Sequence, residues 1–196
     1  MNDFTSSMHQ GSQHLEAADA LIKKSLRWIK QQCVGGKGVS NDKLDEHQMT
    51  SFDLAWCAAE STAARFTLEY SDKAAAASET GGGICLEQRM ALVFCAEALQ
   101  NIHHRFWARP QSFGLDAADV AALASPTLTS FCQAQLDAGN LESLGRQVAA
   151  LDGASGAYLL GDDAMMMQDS FRKLATNVVM PLAEEIHRED RIIPPE

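Results

Sequence analysis

Positive charge is scarce in this chain of 196 residues, which sets 16 Lys and Arg against 26 Asp and Glu for a formal net charge of −10 at pH 7. Nucleic acid rewards clustered Lys and Arg, and so does an anionic membrane surface; the balance argues against both as partners. No basic patch with interleaved aromatics interrupts it. Long apolar runs are missing as well: none approaches the roughly 18 residues that a membrane helix needs. Residues 1–11 have neither the basic nor the apolar stretch of a secretion signal. A cytoplasmic location follows as the expectation. Cysteine falls short of a disulfide framework, because Cys33, Cys57, Cys85, Cys95 and Cys132 are odd in number and lack Cys-x-x-Cys spacing. They read as reduced thiols within apolar helical patterns. Sustained alternation of apolar and polar residues is absent, so no sheet is expected.

What is present is helical periodicity. Residues 1–12 read as a disordered lead-in. Over residues 13–33 the stripe Leu15, Ala18, Leu21, Ile22, Leu26, Ile29 and Cys33 predicts a surface helix ending in the glycines of residues 35–38. Ser40 or Asn41 can cap a second helix, with Leu44, Gln48, Phe52, Ala55, Trp56, Ala59, Ala63, Phe66 and Tyr70 carrying one face through about thirty residues. That length, on the order of 45 Å, is typical of a bundle. A third long helix is predicted over residues 84–108 and stopped by Pro110. Shorter helices follow over residues 116–124, over 126–136 with Ser125 as cap and Pro126 at the first helical position, and over 141–151 with Asn140 as cap. Residues 153–161, rich in glycine, form the best candidate hinge. After them Asp162 or Asp163 can cap a long amphipathic helix with Met167, Phe171, Leu174, Val178 and Leu182 on one face. Pro181 should kink or restart it. The fold class is therefore all-α: an antiparallel helical bundle over residues 13–152, a hinge over 153–161, and a C-terminal helical arm over 162–196. At this length the chain can hold one large domain or two small ones.

Two stretches carry a family resemblance. Phe171, Leu174 and Ala175, then Pro181, Leu182, Ala183, Glu184 and Glu185, with His187 where many members have Asp, resemble the opening helices of the acyl-CoA dehydrogenase family. The segments Phe52-Asp-Leu-Ala-Trp-Cys-Ala-Ala-Glu-Ser-Thr-Ala-Ala-Arg65 and Leu86-Glu-Gln-Arg-Met-Ala-Leu-Val-Phe-Cys-Ala-Glu-Ala-Leu99 are similar to the N-terminal helical extension of methylsuccinyl-CoA dehydrogenases. The resemblance implies a flavoprotein that removes the α and β hydrogens of an acyl-CoA thioester, a glutamate taking the proton and FAD the hydride. In that family the flavin lies between a middle β-domain and a C-terminal helical domain. This chain has no counterpart of either, and no glutamate aligns with the base. FAD therefore belongs to the parent family and not to this chain, for which no catalytic, cofactor-binding or metal residue is assigned.

The implied partner is the remainder of such a dehydrogenase, as the same chain or a subunit, and the implied task is packing. This sequence would be a truncated product, a piece of a split or frameshifted gene, or one half of a two-chain enzyme. The arm around residues 165–193 would then expose apolar surface, dock back on the bundle, or self-associate. A free-standing helical interaction module is the alternative reading. A ferritin-like metal bundle is the remote one.

The metal reading rests on Glu184-x-x-His187, whose spacing puts a carboxylate and an imidazole on one helix face, with Glu60 and Glu97 as the partners that could be proposed. No second Glu-x-x-His supports it. His103 and His104, with Arg105 and Arg109, read as cations at a helix C-terminus. The glycines of residues 35–38 and 81–83 follow no strand and match no phosphate loop, so they read as interhelical turns. Met165, Met166 and Met167 read as adaptable packing. Asp53, Glu60, Arg65, Arg89 and Glu97 lie mid-helix, where any that are buried should pair between the second and third helices.

Overall fold

The computed structural model describes residues 3–36, 38–77, 85–151 and 159–192. The chain divides into two compact units, Met1–Ala157 and Tyr158–Glu196. The all-α class holds, with one addition: Val34–Gly35 (β1) and Gly38–Val39 (β2) pair antiparallel as a minimal hairpin. Gly38 sits at φ +122°, so the glycine-rich stretch expected to be a simple turn becomes a two-rung ladder.

The first unit is built on three long helices, α1 (Asp3–Gln32), α3 (Gln48–Ala77) and α4 (Leu86–Ala108). The disordered lead-in expected over residues 1–12 is corrected here, because α1 already runs from Asp3. The buried face of α1 continues toward the N-terminus through Gly11 and Met8, at helical spacing from Leu15 and Ala18. The polar residues Ser7, His9, Gln10 and Ser12 conceal it in the sequence. Gly11 lies at a helix crossing, where a Cβ would sit 3.3 Å from Cys95 Sγ and 3.4 Å from Phe131 Cζ. Gly11→Val should overpack this crossing and cost about 1–3 kcal/mol in urea unfolding. A disordered lead-in would show no effect.

The helix expected over residues 40–70 is interrupted. A short α2 (Asn41–Asp45), whose cap Ser40 accepts a hydrogen bond from the Lys43 N–H, gives way after Glu46 and His47 to α3. Ion pairs fix the register: Asp19 of α1 meets Arg65 and Ser61 of α3, while Asp53 and Glu60 of α3 meet Arg109 and Arg105 of α4. The pairs Asp53–Arg109 and Glu60–Arg105 make α4 antiparallel to α3, and the approach of Gly11 to Leu68 alongside Asp19 to Ser61 does the same for α1.

The core face of α3 also differs from the expected one. Leu54, Cys57, Ser61, Ala64, Leu68, Ser71 and Ala74 are buried, whereas Phe52, Trp56 and Phe66 are exposed. Steric demand explains the choice. Small side chains at alternating three- and four-residue spacing let α1 and α4 approach closely, and the serine hydroxyls find partners, Ser61 across on α1 and Ser71 within its own helix. Ser61 Oγ donates to Asp19 at 2.5 Å and Ser71 Oγ donates to the Leu68 carbonyl at 2.8 Å.

Helix α4 is central and is buried on most sides, through Ala91, Leu92, Cys95, Ala96, Leu99, Ile102 and Phe106. A 3-10 turn, Pro110–Phe113, follows it and returns Phe113 to the core against Phe106. Then come α5 (Ala117–Ala122), capped by Asp116 and held to α1 through Lys24 and Asp119, and α6 (Pro126–Gln135), capped by Ser125. The next helix, α7 (Ala138–Ala149), is capped by Asp137, which accepts from the Gly139 and Asn140 N–H groups. Asn140, the expected cap, lies inside it and turns its side chain back to the Gln135 carbonyl.

The second unit is a helical rod of α8 (Asp162–Leu174), a π-helical segment Ala175–Val179, and α9 (Met180–Glu189). The π segment lies just before Pro181. Proline lacks the N–H and crowds the carbonyl of residue 177, and the wider turn absorbs both effects. Gly161 is the cap; Asp162 and Asp163 stand instead in the first turn, where the helix dipole favours acids. No described residue of this unit is buried. The expected hinge over residues 153–161 lies largely outside the described residues, as does the turn over residues 81–83.

Candidate functional site

Charge converges at one place in the bundle, along the seam between α3 and α4. One helical turn separates Arg105 from Arg109, and two turns separate Asp53 from Glu60, so the antiparallel pairing interleaves them. Arg105 reaches Asp53 at 3.6 Å and Glu60 at 3.3 Å, Arg109 pairs with the other oxygen of Asp53, and Asn101 donates to Glu60 at 3.0 Å. The Arg105 guanidinium also lies 6.0 Å from the Trp56 ring centre, within cation–π range. Pairing between these two helices was the expectation for Asp53 and Glu60. Arg65 and Arg89 depart from it. Arg65 pairs with Asp19 on α1, and Arg89 bonds Gln147 and Asn140 of α7. Glu97 is exposed. Every carboxylate of the seam is matched by a cation, so the cluster braces two helices and offers no free base.

Nucleophiles are subdued in the same region. Burial pushes the Cys57 and Cys95 thiols up to about 12 and the Cys132 thiol to about 11; for Cys57 the Arg105 charge opposes that rise without cancelling it. All three are protonated thiols at neutral pH, and Cys132 donates to the Ala96 carbonyl.

The histidines correct the sequence reading. His103 was expected to be a cation at the end of α4, but its Nε2 is buried and has no hydrogen-bond partner among the described residues. Burial lowers its pKa from the ordinary 6.5, and the neighbouring charge of His104 lowers it further. It lines a cleft of about 240 Å³ with Leu99, Gln100, Leu128, Thr129 and Cys132. His14, whose ring centre is 5.7 Å from that of Phe131, is likewise buried at Nε2 and lowered by burial. A base whose folded pKa is depressed takes its proton first in the unfolded chain, so its contribution is complete above about pH 6.5 and is lost as the pH falls toward the folded value. The melting temperature should fall between pH 7 and pH 5, and His14→Gln with His103→Gln should flatten that slope. An unchanged slope would contradict it. Asp119, held low first by its Lys24 hydrogen bond, acts only lower, as the pH falls through the carboxylate range.

Each proposed metal ligand is otherwise engaged or solvent-facing within its own unit. Glu184 pairs with Arg188, Glu60 belongs to the seam, and His187 and Glu97 are exposed. Among the described residues, no three His, Cys, Asp or Glu side chains are grouped to hold an ion.

Among the described residues, apolar side chains are exposed in rows along the arm and along α3. The arm presents Met167, Phe171, Leu174, Val178 and Leu182, and α3 presents Met49, Phe52, Trp56 and Phe66, with Phe52 stacked on Trp56 at 6.2 Å and 15°. The aromatic periodicity was legible in the sequence; that it points outward was not. No model of a known protein family matches the chain, and no curated protein matches it in sequence.

Proposed function

We propose that this chain is the N-terminal portion of an FAD-dependent acyl-CoA dehydrogenase of the methylsuccinyl-CoA type, with a packing role and no catalysis of its own. The observation that carries this reading is the arm. Its apolar side chains repeat at helical spacing over 162–189; Met167, Phe171, Leu174, Val178 and Leu182 are exposed, and none is buried. A helix with that pattern is built to be covered, and in this reading the remainder of the dehydrogenase covers it. The resemblance of Phe171, Leu174, Pro181 and Glu184 to the family's opening helices supplies the identity of that remainder.

Neither of two clefts among the described residues fits a flavin. The His103 cleft, at about 240 Å³, is smaller than the roughly 300–1,000 Å³ of ligand pockets. The groove of about 490 Å³ along Gln10, Pro126, Thr127 and Phe131 has no cationic side chain for a pyrophosphate. Flavin and catalytic base would both lie in the partner portion.

The second reading, a free-standing helical interaction module, is favoured by the uncharged centre of the exposed face of α3. The coding sequence beyond codon 196 separates the two. A reading frame there, in phase or shifted, that encodes a glycine-rich β-domain supports the dehydrogenase. Its absence in all frames leaves the interaction module. A purified chain that holds FAD tightly by itself, or that oxidises an acyl-CoA unaided, overturns the packing role.

A further inference from the structure

We propose that the exposed face of α3 is the two-fold interface of a homodimer, occupied by α3 of a second copy running antiparallel. This goes beyond the dehydrogenase reading and does not depend on it. The first observation is the absence of charge. Between Phe52 and Phe66 the centre of the exposed face, Phe52, Ala55, Trp56, Ala59, Ala63 and Phe66, carries no charge, and the one exposed charged residue of this stretch, Arg65, lies at its α1 edge and pairs with Asp19. The charged residues of the same stretch, Asp53, Glu60 and Arg65, are turned to α4 or α1 and paired there. In a chain with net charge −10, two copies can meet here without setting acid against acid. The centre of the face, aromatic and free of charge, has the composition of an interface core. It holds no group that would recognise a charged ligand.

The second observation is that the face is complementary to itself. Inverting the order of residues about Ala59 exchanges Phe52 with Phe66, Ala55 with Ala63, and Trp56 with Thr62. In an antiparallel pair centred on Ala59, each Phe52 therefore meets the partner copy's Phe66, forming two aromatic contacts roughly 21 Å apart along the helix. Between them the alanines let the axes approach to about 8 Å, and each Trp56 enters the space left by small residues opposite. Such self-complementarity is what a closed two-fold contact requires.

The third observation is area. Met49, Phe52 and Phe66 are about two-thirds exposed (67%, 65% and 63%) and Trp56 is 48% exposed. With large side chains of ~200 Å² each, and the alanines between them, two copies bury roughly 1,000 Å² or more, which reaches the threshold of a specific interface.

The test uses the full 196-residue chain. Sedimentation equilibrium from 1 to 100 µM should show a dimer, and Ala59→Arg, which places two like charges on the axis, should weaken association at least 100-fold while leaving the circular dichroism melt intact. Arm substitutions Met167→Glu and Phe171→Glu should leave the dimer unchanged. In a Cys85→Ser background, with the remaining thiols buried, Ala59→Cys should form an interchain disulfide with oxidised glutathione, and Ala55→Cys should form several-fold less because position 55 faces position 63. A monomer at 100 µM overturns the proposal. So does a dimer that survives Ala59→Arg or is lost with the arm substitutions, and so does an Ala55→Cys crosslink as efficient as that of Ala59→Cys.

Discussion

Gly114→Val should lower the stability of the bundle by about 2–5 kcal/mol, and its melting temperature by roughly 5–20 °C, given about 2–4 °C per kcal/mol for a unit of this size. Two independent costs add at this residue. Gly114 ends the Pro110–Phe113 turn at φ +65°, ψ +28°, in the left-handed region where a β-branched side chain is strained. A Cβ built on it would also run into the indole ring of Trp28 on α1. The strained turn lets the chain leave α4, fold Phe113 inward and start α5 within a few residues, so the substitution acts on the whole return path. Gly145→Ala is the control. It lies in the exposed interior of α7 with nothing near its Cβ, and should stabilise by up to about 1 kcal/mol. A Gly114→Val melt indistinguishable from the parent would mean that the turn is not built this way.

Phe106→Ala should cost about 3–5 kcal/mol, the range for removing a fully buried aromatic side chain. Phe106 has no exposed surface, and its ring meets that of Phe113 edge-on, with centres 5.0 Å apart at 72°. Truncation removes the ring and leaves a cavity between α4 and the 3-10 turn that neither can close by itself. Because Phe113 is delivered by the turn that Gly114 completes, the two substitutions share a neighbour. The double variant should therefore lose less than the sum of the single losses, and urea titrations of all four proteins read the difference directly.

The helices themselves were legible because long apolar periodicity is the most robust signal in a sequence. Their faces were less so. On α3 the aromatic residues dominated the apolar pattern, yet Ser61, Ala64 and Ser71 occupy the seam, because a close approach of helices selects for small size over hydrophobicity. Serine gives no apolar signal, and its burial depends on a partner such as Asp19, 42 positions away. The same distance in sequence hid the partners of Arg65 and Arg89. Asp53 and Glu60 were easier, since opposite charges on consecutive long helices are natural partners in an antiparallel pair. At the N-terminus, a mostly polar composition concealed a face on which only Met8 and Gly11 need to fit. His103 shows the limit most clearly: its position near the end of a helix argues for charge, whereas the burial that lowers its pKa comes from packing between elements distant in sequence. In the arm the apolar stripe and the effect of Pro181 were both readable, because they depend on local spacing alone; exposure of the stripe was one of three outcomes that the sequence allowed.

The central claim is that the arm is a helix whose covering surface lies outside this chain, and hydrogen exchange tests it most directly. In dilute, monomeric protein the amides of α8 and α9 should exchange within about tenfold of unfolded rates, while those of α4 exchange orders of magnitude more slowly. Protection of 162–189 equal to that of α4 in a strict monomer would contradict the account, because the apolar face of the arm would then be satisfied within these 196 residues.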